Sequence, residues 1–293
     1  MPPFVVSQAT VPEFLPACRL LFPDGSAEQR GHRILGDPHP TGLFVARDAN
    51  WRLHAAALVQ VVPGALGVAW APRGDSAEAV DAVTAAACAW LREHGVKVCQ
   101  AFAPASEAAD MAPLEGSGFR HVTQLVFLRR KVDRERDRPR PVDWIDGAYY
   151  LPALKDVFAA TLLATHAGTL DCPELNGHRT DAELVAGYEL PDRASSWHFR
   201  AESAGRLVGV VTTNPADSAL ELTYLGVVPA ERGRGFGDKL VQFVLHAAAV
   251  AFDSLTLSVD ARNTPAMKLY TRHAFVEYDR REVWLAQFHE PEA

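Results

Sequence analysis

The chain has 293 residues, of which 48% are hydrophobic and 22% are charged, and its formal net charge is −7. Such a chain has room for two ordinary domains, and its composition is that of a globular protein with ample material for hydrophobic cores. The negative charge disfavours non-specific binding to nucleic acid, and no apolar run approaches the roughly 20 residues of a membrane-spanning helix.

The cysteines, the histidines and the first residues narrow the class of protein further. The four cysteines are scattered without a CxxC pair, and the start of the chain lacks the basic and long apolar regions of a signal peptide. The eleven histidines form no cluster with the spacing of zinc ligands. We therefore expect a reduced, cytoplasmic protein with no metal site and with no membrane or nucleic-acid partner.

The first 130 residues predict helices and strands in alternation. Thr10 followed by Glu13 is a capping box, which predicts a helix from Val11 to Phe22. Apolar side chains at helical spacing predict a second helix that starts at Ser76 and stops at Gly95. Strands are predicted at residues 42–47, 53–62, 66–70, 96–102 and 122–128.

Residues 129–143, RRKVDRERDRPRPVD, form the sharpest change of composition in the chain. They include eleven charged residues of mixed sign and two prolines. The arginines alone would suit a nucleic-acid patch, but the interleaved Asp and Glu favour a solvated linker. We therefore predict a first domain at residues 1–130, a charged linker at 131–143 and a second domain at 144–293.

The second half repeats the order of elements of the first half. Pro72 and Pro229 lie 157 positions apart, and Phe119 and Phe275 lie 156 positions apart. A near-constant offset over several elements predicts a tandem duplication. Helices are predicted at 152–163, 180–188 and 264–272, and strands at 197–202, 207–213, 220–228, 254–260 and 275–285, with a hairpin turn at Ala204-Gly205.

The stretch from Ala219 to Ala251 combines a strand, a glycine-rich loop and a helix. An apolar run ends near Val228, the loop RGRGFG follows, and apolar residues then recur at helical spacing. This order directs backbone N–H groups and the positive end of a helix dipole at an anion. The glycines let the backbone approach that anion closely, and Arg232 and Arg234 add positive charge.

Two motifs in this half resemble those of the GCN5-related N-acetyltransferase (GNAT) family. They are Arg232-x-x-Gly235-x-Gly237 and the run from Asn263 through Tyr270 to Phe275. The resemblance covers residues 144–288 well and residues 1–130 as a degenerate copy. It implies two tandem GNAT-like domains of α+β class, each with a mixed, mostly antiparallel sheet flanked by helices. It also implies acyl-CoA contacts at Leu225, Gly226, Val227, Arg232, Gly233, Arg234, Gly235, Phe236, Gly237, Asp238 and Asn263.

Two side chains are candidates for proton transfer. Tyr270 matches the family's general acid, which protonates the departing CoA thiolate; the alternative is a packed helix tyrosine. Glu221 is the candidate base, because a lone carboxylate in an apolar strand needs a reason; the alternative is a surface glutamate. Strand alternation predicts that Glu221 shares one face with Leu225, opposite to Tyr224.

The first half departs from the family pattern. Residues 75–80 stand where the glycine loop would be, and they offer carboxylates instead of glycines. Leu114 stands at the position of Tyr270. We therefore expect the first half to be catalytically silent. On the acceptor side, the long loop at residues 165–179 contributes Asp171, Glu174 and His178 as candidate contacts for a cationic amine.

These patterns predict an acyl-CoA-dependent N-acyltransferase. It would transfer acetyl from acetyl-CoA to a primary amine by direct attack, and the amine would belong to a small molecule or a peptide. A non-catalytic acyl-CoA-binding or regulatory module is the alternative. A tandem-repeat scaffold without a ligand is less consistent with three spaced glycines and two arginines in one loop.

Overall fold

The computed structural model describes residues 4–138, 146–148, 152–188, 199–203 and 206–288. Its strands are β1 Val5–Gln8, β2 Thr41–Arg47, β3 Leu53–Val62, β4 Leu66–Ala69, β5 Arg73–Gly74, β6 Val98–Ala103, β7 Arg120–Lys131, β8 Asp146–Ala148, β9 Phe199–Ser203, β10 Arg206–Ala216, β11 Ala219–Val227, β12 Ser254–Asp260 and β13 Val276–Gln287. Its helices are α1 Val11–Leu21, α2 Ala27–Gly36, α3 Ala77–Glu93, α4 Ala112–Glu115, α5 Lys155–His166, α6 Asp181–Ala186, α7 Phe236–Ala251 and α8 Thr264–Arg272. The predicted turn at Ala204-Gly205, residues 197–198 of a predicted strand and residues 139–143 of the predicted linker lie outside the described residues.

The chain divides into two compact units. Unit 1 comprises Met1–Val122, Leu175–Tyr188 and Arg281–Ala293, and unit 2 comprises Thr123–Glu174 and Glu189–Arg280. The predicted division at residues 131–143 stays a prediction. Part of that charged stretch is hydrogen-bonded, since Arg130 and Asp137 form an ion pair at 2.7 Å in which both side chains are less than a tenth exposed.

Unit 1 is built on a mostly antiparallel sheet. Its strand order is β1-β2-β3-β4-β6, and residues 282–287 of β13 pair antiparallel with β6. Only β4 and β6 of the described strands in this unit run parallel. Helix α3 packs its apolar stripe, which includes Val83 and Leu91, into a core with Phe119 and Trp284. A second core includes Cys18 of α1 and Leu58 of β3.

The N-terminus of α1 carries the capping box that the sequence predicts. The Glu13 carboxylate accepts hydrogen bonds from the Thr10 backbone N–H at 2.8 Å and from the Thr10 hydroxyl at 2.6 Å. Arg47 of β2, whose side chain is 4% exposed, donates to the same carboxylate. The hydrogen bond from Arg47 is the main cause that lowers the pKa of Glu13 from 4.5 to about 2. A largely buried ion pair therefore joins α1 to β2.

This ion pair should make unit 1 sensitive to acid. A carboxyl whose pKa is depressed by folding stabilises the fold above its unfolded pKa, and the contribution is lost as the pH falls through the folded pKa. For Glu13 the shift corresponds to about 3 kcal/mol. In urea unfolding, the advantage of the wild type over Glu13→Gln should shrink by about that amount between neutral pH and about pH 2. Glu28→Gln, at an exposed pair with Arg19, is the control, and identical pH profiles of wild type and Glu13→Gln would contradict the prediction.

Unit 2 is also built on a mostly antiparallel sheet. Its strand order is β7-β12-β11-β10-β9-β8, in which β11 and β12 run parallel and the other neighbours run antiparallel. Helix α7 packs Leu240 and Val244 against Leu220, Leu255 and the other core residues of this sheet. Helix α5 lies against β10 and β11. The predicted fold class is confirmed, because each unit has a mixed, mostly antiparallel sheet flanked by helices and one parallel strand pair.

None of the helices among the described residues is both long and apolar enough to span a bilayer.

Candidate active site

A β-bulge in β11 opens the sheet of unit 2. In the pairing with β10, the consecutive residues Thr212 and Thr213 lie opposite Tyr224 and Leu222, so Thr223 is the additional residue. The parallel pairing with β12 ends at Leu222, although both strands continue. The two strands therefore separate after the bulge, and backbone groups of β11 become available to a ligand.

The gap between these strands is part of a cleft of about 660 Å³. The loop after α5, the glycine loop, the first turn of α7 and helix α8 form its other sides. Tyr270 lines this cleft, whereas Arg234 and Glu221 do not. The cleft brings together ten of the predicted binding residues, Leu225, Gly226, Val227, Arg232, Gly233, Gly235, Phe236, Gly237, Asp238 and Asn263.

The glycine loop has the backbone conformation that the sequence predicts for an anion cradle. Gly233 has φ +75° and Gly235 has φ +80°, in the left-handed region that favours glycine. A Cβ at either position would meet no atom within 4 Å, so the space beside the loop is open. Gly235 caps α7, whose first N–H groups lack partners within the helix. The loop therefore has the conformation and the open space of an anion site, and its contact with the pyrophosphate of an acyl-CoA stays a prediction.

We expect Gly235→Ala to weaken CoA binding. The substitution forces a Cβ into a left-handed conformation, at a cost of about 1 kcal/mol, and extends the side chain toward the cradle. The Kd for CoA, measured by calorimetry, should rise about tenfold. Gly25→Ala is a matched control, because Gly25 has φ +83° and equally open surroundings but lies in unit 1. An unchanged Kd in Gly235→Ala would contradict the prediction.

Arg232 makes contacts that the glycine-loop pattern does not predict. Its Nε donates to the carbonyl oxygen of Val227 at 3.0 Å. Its two terminal nitrogens donate to the carbonyl oxygens of Thr165, Ala167 and Gly168. Carbonyls at the end of a helix such as α5 lack partners within the helix, and a cation beside them is favourable. Arg232 therefore joins the loop after α5 to the end of β11, and its guanidinium lies at the edge of the cleft.

Two other charged residues of the predicted site are held in ion pairs. Arg234 is half-exposed and donates to the buried carboxylate of Glu231 at 2.6 Å. Asp238 pairs with Arg272 at 3.0 Å and lies 3.2 Å from the Nε2 of His273. Burial acts to raise the pKa of Asp238, but the hydrogen bonds and charges of Arg272 and His273 outweigh it and hold this pKa below its ordinary value. The negative charge of Asp238 at the start of α7 is therefore balanced by the Arg272 guanidinium.

Helix α8 presents both of its predicted residues to the cleft. Asn263 caps the helix, and its side-chain oxygen accepts from the N–H of Ala266 at 3.3 Å. Tyr270 is 7% exposed, and its ring packs edge-on against Phe275 at 5.6 Å between centroids. Burial, with a smaller effect of the Asp171 charge, raises the pKa of Tyr270 well above its ordinary value. At neutral pH this phenol is protonated, as a general acid must be.

Glu221 lies before the bulge and outside the cleft lining. It is half-buried, and it is flanked in the sheet by Asn214 of β10 and Thr256 of β12. The structure brings Tyr270, but not Glu221, to the wall of the cleft. The role of Glu221 as a base stays a prediction.

The predicted alternation along β11 is wrong beyond Leu222. Leu225 packs into the same core as Leu220 and Leu222. The Tyr224 hydroxyl instead lies 3.0 Å from the hydroxyl of Thr165 on α5. The bulge causes the difference, because an extra residue in one strand reverses the faces of those that follow it. Leu225 therefore shares a face with the core residues, opposite to the prediction.

A buried network fastens the loop after α5 to the end of β12. Asp260 is fully buried, and its carboxylate accepts from the Thr123 hydroxyl at 2.6 Å and from the Cys172 N–H at 3.1 Å. Arg262 donates to Asp260 at 2.7 Å and to both oxygens of Glu174 at 2.6 and 2.8 Å. The apolar strand that ends at an aspartate was a signal for this network that the sequence analysis missed.

The three candidate acceptor residues have different surroundings. Glu174 forms an ion pair with Arg262, and His178 is not part of the cleft lining. Asp171 lines the cleft. The described residues contain no group of three or more His, Cys, Asp or Glu side chains arranged to hold a metal ion.

The corresponding loop of unit 1 has a different chemistry. The Asp75 carboxylate lies 2.8 Å from the Nδ1 of His54 and 3.1 Å from Arg52. Leu114, at the position that corresponds to Tyr270, is 2% exposed within the core. These residues give the loop an ion-paired carboxylate where unit 2 has glycines. The catalytic silence of this half stays a prediction.

The comparisons with known proteins agree with the fold. Residues 164–275 match the family model described as Acetyltransferase (GNAT) family. In solved structures, the GCN5-related N-acetyltransferase from Sphaerobacter thermophilus is similar over 97% of this chain and 96% of its own, at 16% identity and a TM-score of 0.61. A tandem GNAT protein from the clavulanic acid biosynthesis pathway covers 99% of both chains, at 13% identity and a TM-score of 0.56. The predicted resemblance to the GNAT family is confirmed over residues 164–275, and the chain is an N-acetyltransferase, as the sequence predicts.

Full-length relatives define a narrower group. The mycothiol acetyltransferase of Salinispora tropica is 28% identical over 279 residues, which cover 87% of this chain and 86% of the relative. The mycothiol acetyltransferase of Gordonia bronchialis is 27% identical over 88% of this chain and 87% of its own. The predicted similarity to tandem GNAT enzymes of this type is therefore confirmed.

Proposed function

We propose that this enzyme transfers the acetyl group of acetyl-CoA directly to the primary amine of a small molecule, in the cleft of unit 2. The observation that carries the proposal is the convergence of the opened β11 edge, the glycine cradle and Tyr270 on one cleft. Relatives named mycothiol acetyltransferases support a low-molecular-weight acceptor in preference to a protein.

Different groups of the cleft have different roles in the proposed reaction. The N–H groups of the glycine loop and the start of α7 hold the pyrophosphate, and the exposed backbone of Leu225 to Val227 pairs with the pantetheine arm. A backbone N–H near Val227 polarises the thioester carbonyl. The amine attacks the carbonyl carbon, a C–N bond forms, the C–S bond breaks, and the nitrogen releases one proton to solvent. Tyr270 donates its proton to the departing sulfur and recovers one through solvent.

The test is a thiol-release assay with acetyl-CoA and a panel of small amines and lysine-containing peptides. The binding of CoA is measured in parallel as a control. We expect turnover with at least one small amine and little with peptides. Tight binding of CoA without turnover on any amine would instead support a non-catalytic acyl-CoA-binding module. Turnover on peptides alone would contradict the small-molecule acceptor and would indicate that the acceptor is an amine of a protein.

A further inference from the structure

Three carboxylates line the cleft, and two of them are neutralised. Glu231 pairs with Arg234, and Asp238 pairs with Arg272. Among the described residues, Asp171 forms no ion pair, although it lines the same cleft. Its carboxylate is therefore the acidic group of the cleft that is left to meet a cation from outside.

The backbone fixes Asp171 in place. Its Oδ1 accepts from the backbone N–H of Asp260 at 3.0 Å, beyond the last residue at which β12 pairs with β11. Its own N–H donates to the hydroxyl of Thr169 at 3.2 Å, and the next N–H, of Cys172, is bound to the Asp260 side chain. The described residues give Oδ2 no hydrogen-bond partner. One oxygen is thus anchored and the other is available to a ligand.

Among the described residues, the charged groups near Asp171 form ion pairs with other partners or hold backbone carbonyls, as Arg232 does. The neighbouring carboxylates of Asp260 and Glu174 are both bound by Arg262. Asp171 lines the same cleft as Tyr224 and Tyr270, and its charge is a minor cause of the raised pKa of both tyrosines. Asp171 is exposed, yet the protein atoms around its carboxyl and the charge of Asp260 raise its pKa, although the hydrogen bond from the Asp260 N–H acts to lower it.

We infer that Asp171 binds the ammonium group of the acceptor and removes its proton before attack. The inference rests on the proposed function and names the acceptor as an amine that is cationic when it arrives. One proton passes from the ammonium nitrogen to Oδ2, and the neutral amine forms the C–N bond as the C–S bond breaks. The nitrogen releases its second proton to water, Tyr270 supplies one to sulfur, and Asp171 then returns its proton to solvent.

A pair of CoA thioethers tests the binding step without turnover. S-aminopropyl-CoA carries an ammonium where S-butyl-CoA carries a methyl group at the same chain length. Wild type should bind the ammonium compound about tenfold more tightly in calorimetry, and Asp171→Asn should abolish this preference. Asp253→Asn, an exposed aspartate outside the cleft, should retain it.

The outcomes of this experiment separate the two proposals. If Asp171→Asn keeps the preference, or if wild type has none, Asp171 is not the ammonium site, and the proposed function stands. If neither thioether binds to wild type, the CoA site itself is absent, and both proposals fall. Comparable affinities of wild type and Asp171→Asn for S-butyl-CoA show that the variant is folded.

A pair of acceptor amines tests the proton transfer. Ethylamine is cationic at neutral pH, whereas trifluoroethylamine is mostly neutral there and needs no base before attack. Asp171→Asn should slow acetylation of ethylamine by about 100-fold and of trifluoroethylamine by less than about tenfold. Asp171→Glu should restore part of the rate with ethylamine. Equal losses with both amines would overturn the role of Asp171 as the proton acceptor.

Discussion

Replacing Tyr270 by phenylalanine should lower kcat by about 100-fold or more and leave the Kd for CoA within about twofold. The ring is 7% exposed and packed against Phe275, so phenylalanine fills the same space. The hydroxyl has no hydrogen-bond partner among the described residues, and its loss therefore leaves no protein group unsatisfied. What disappears is the proposed proton donor for the CoA thiolate.

The control for this variant is another tyrosine of the same unit. Tyr278 is 49% exposed and lies outside the cleft lining, and Tyr278→Phe should keep the wild-type kcat. Thiol release under saturating acetyl-CoA measures kcat, and calorimetry measures CoA binding. A Tyr270→Phe protein with wild-type kcat would remove the general-acid role, whereas a large rise in Kd would assign the hydroxyl to binding instead.

The parts of the site that the sequence predicts are those whose chemistry is local. Glycine permits the left-handed conformations of Gly233 and Gly235, and the start of α7 follows directly in the chain. Asn263 and Tyr270 lie on one short helix, so their spacing alone brings both to the cleft. In such segments, the residue order determines the geometry.

The parts that sequence analysis missed depend on partners far away in the chain. The bulge at Thr223 is defined by the register with β10, and no residue type in β11 predicts it. Arg232 has its acceptors at residues 165–168, and they determine that its guanidinium holds backbone carbonyls. Asp171 differs from Glu174 because Arg262 reaches only the second of them. Pairing of charges over such distances cannot be deduced from spacing.

The bulge also changes the assessment of the candidate base. With regular alternation, Glu221 and Leu225 would share a face, and a carboxylate could reach the acyl site from within the strand. The bulge places Leu225 in the core, and Glu221 remains outside the cleft lining. Asp171 reaches the cleft from a loop instead. A comparison of Glu221→Gln with Asp171→Asn in the same assay separates the two candidates.

Asp260→Ala should lower the free energy of unfolding by about 4 kcal/mol. Asp260 is fully buried, and its carboxylate accepts hydrogen bonds from the Thr123 hydroxyl, the Cys172 N–H and the Arg262 guanidinium. Alanine leaves the Cys172 N–H buried without an acceptor and leaves the Thr123 hydroxyl only a long contact to the Gln124 carbonyl at 3.5 Å. It also takes one of the two carboxylate partners from Arg262. Each orphaned buried donor costs about 1–3 kcal/mol, which makes the loss larger than that of an ordinary surface change.

Urea unfolding of Asp260→Ala and Asp253→Ala measures this difference directly. Asp253 is 71% exposed in a single pair with Arg134, so its substitution should cost no more than about 0.5 kcal/mol. Asp260→Asn retains one acceptor oxygen and should lose about half as much as the alanine variant. Because the network also fastens the loop that carries Asp171, the folded Asp260→Asn protein should lose part of the ammonium preference as well. A stable Asp260→Ala protein, with a loss below about 1 kcal/mol, would mean that the loop is held by Arg232 and the backbone alone.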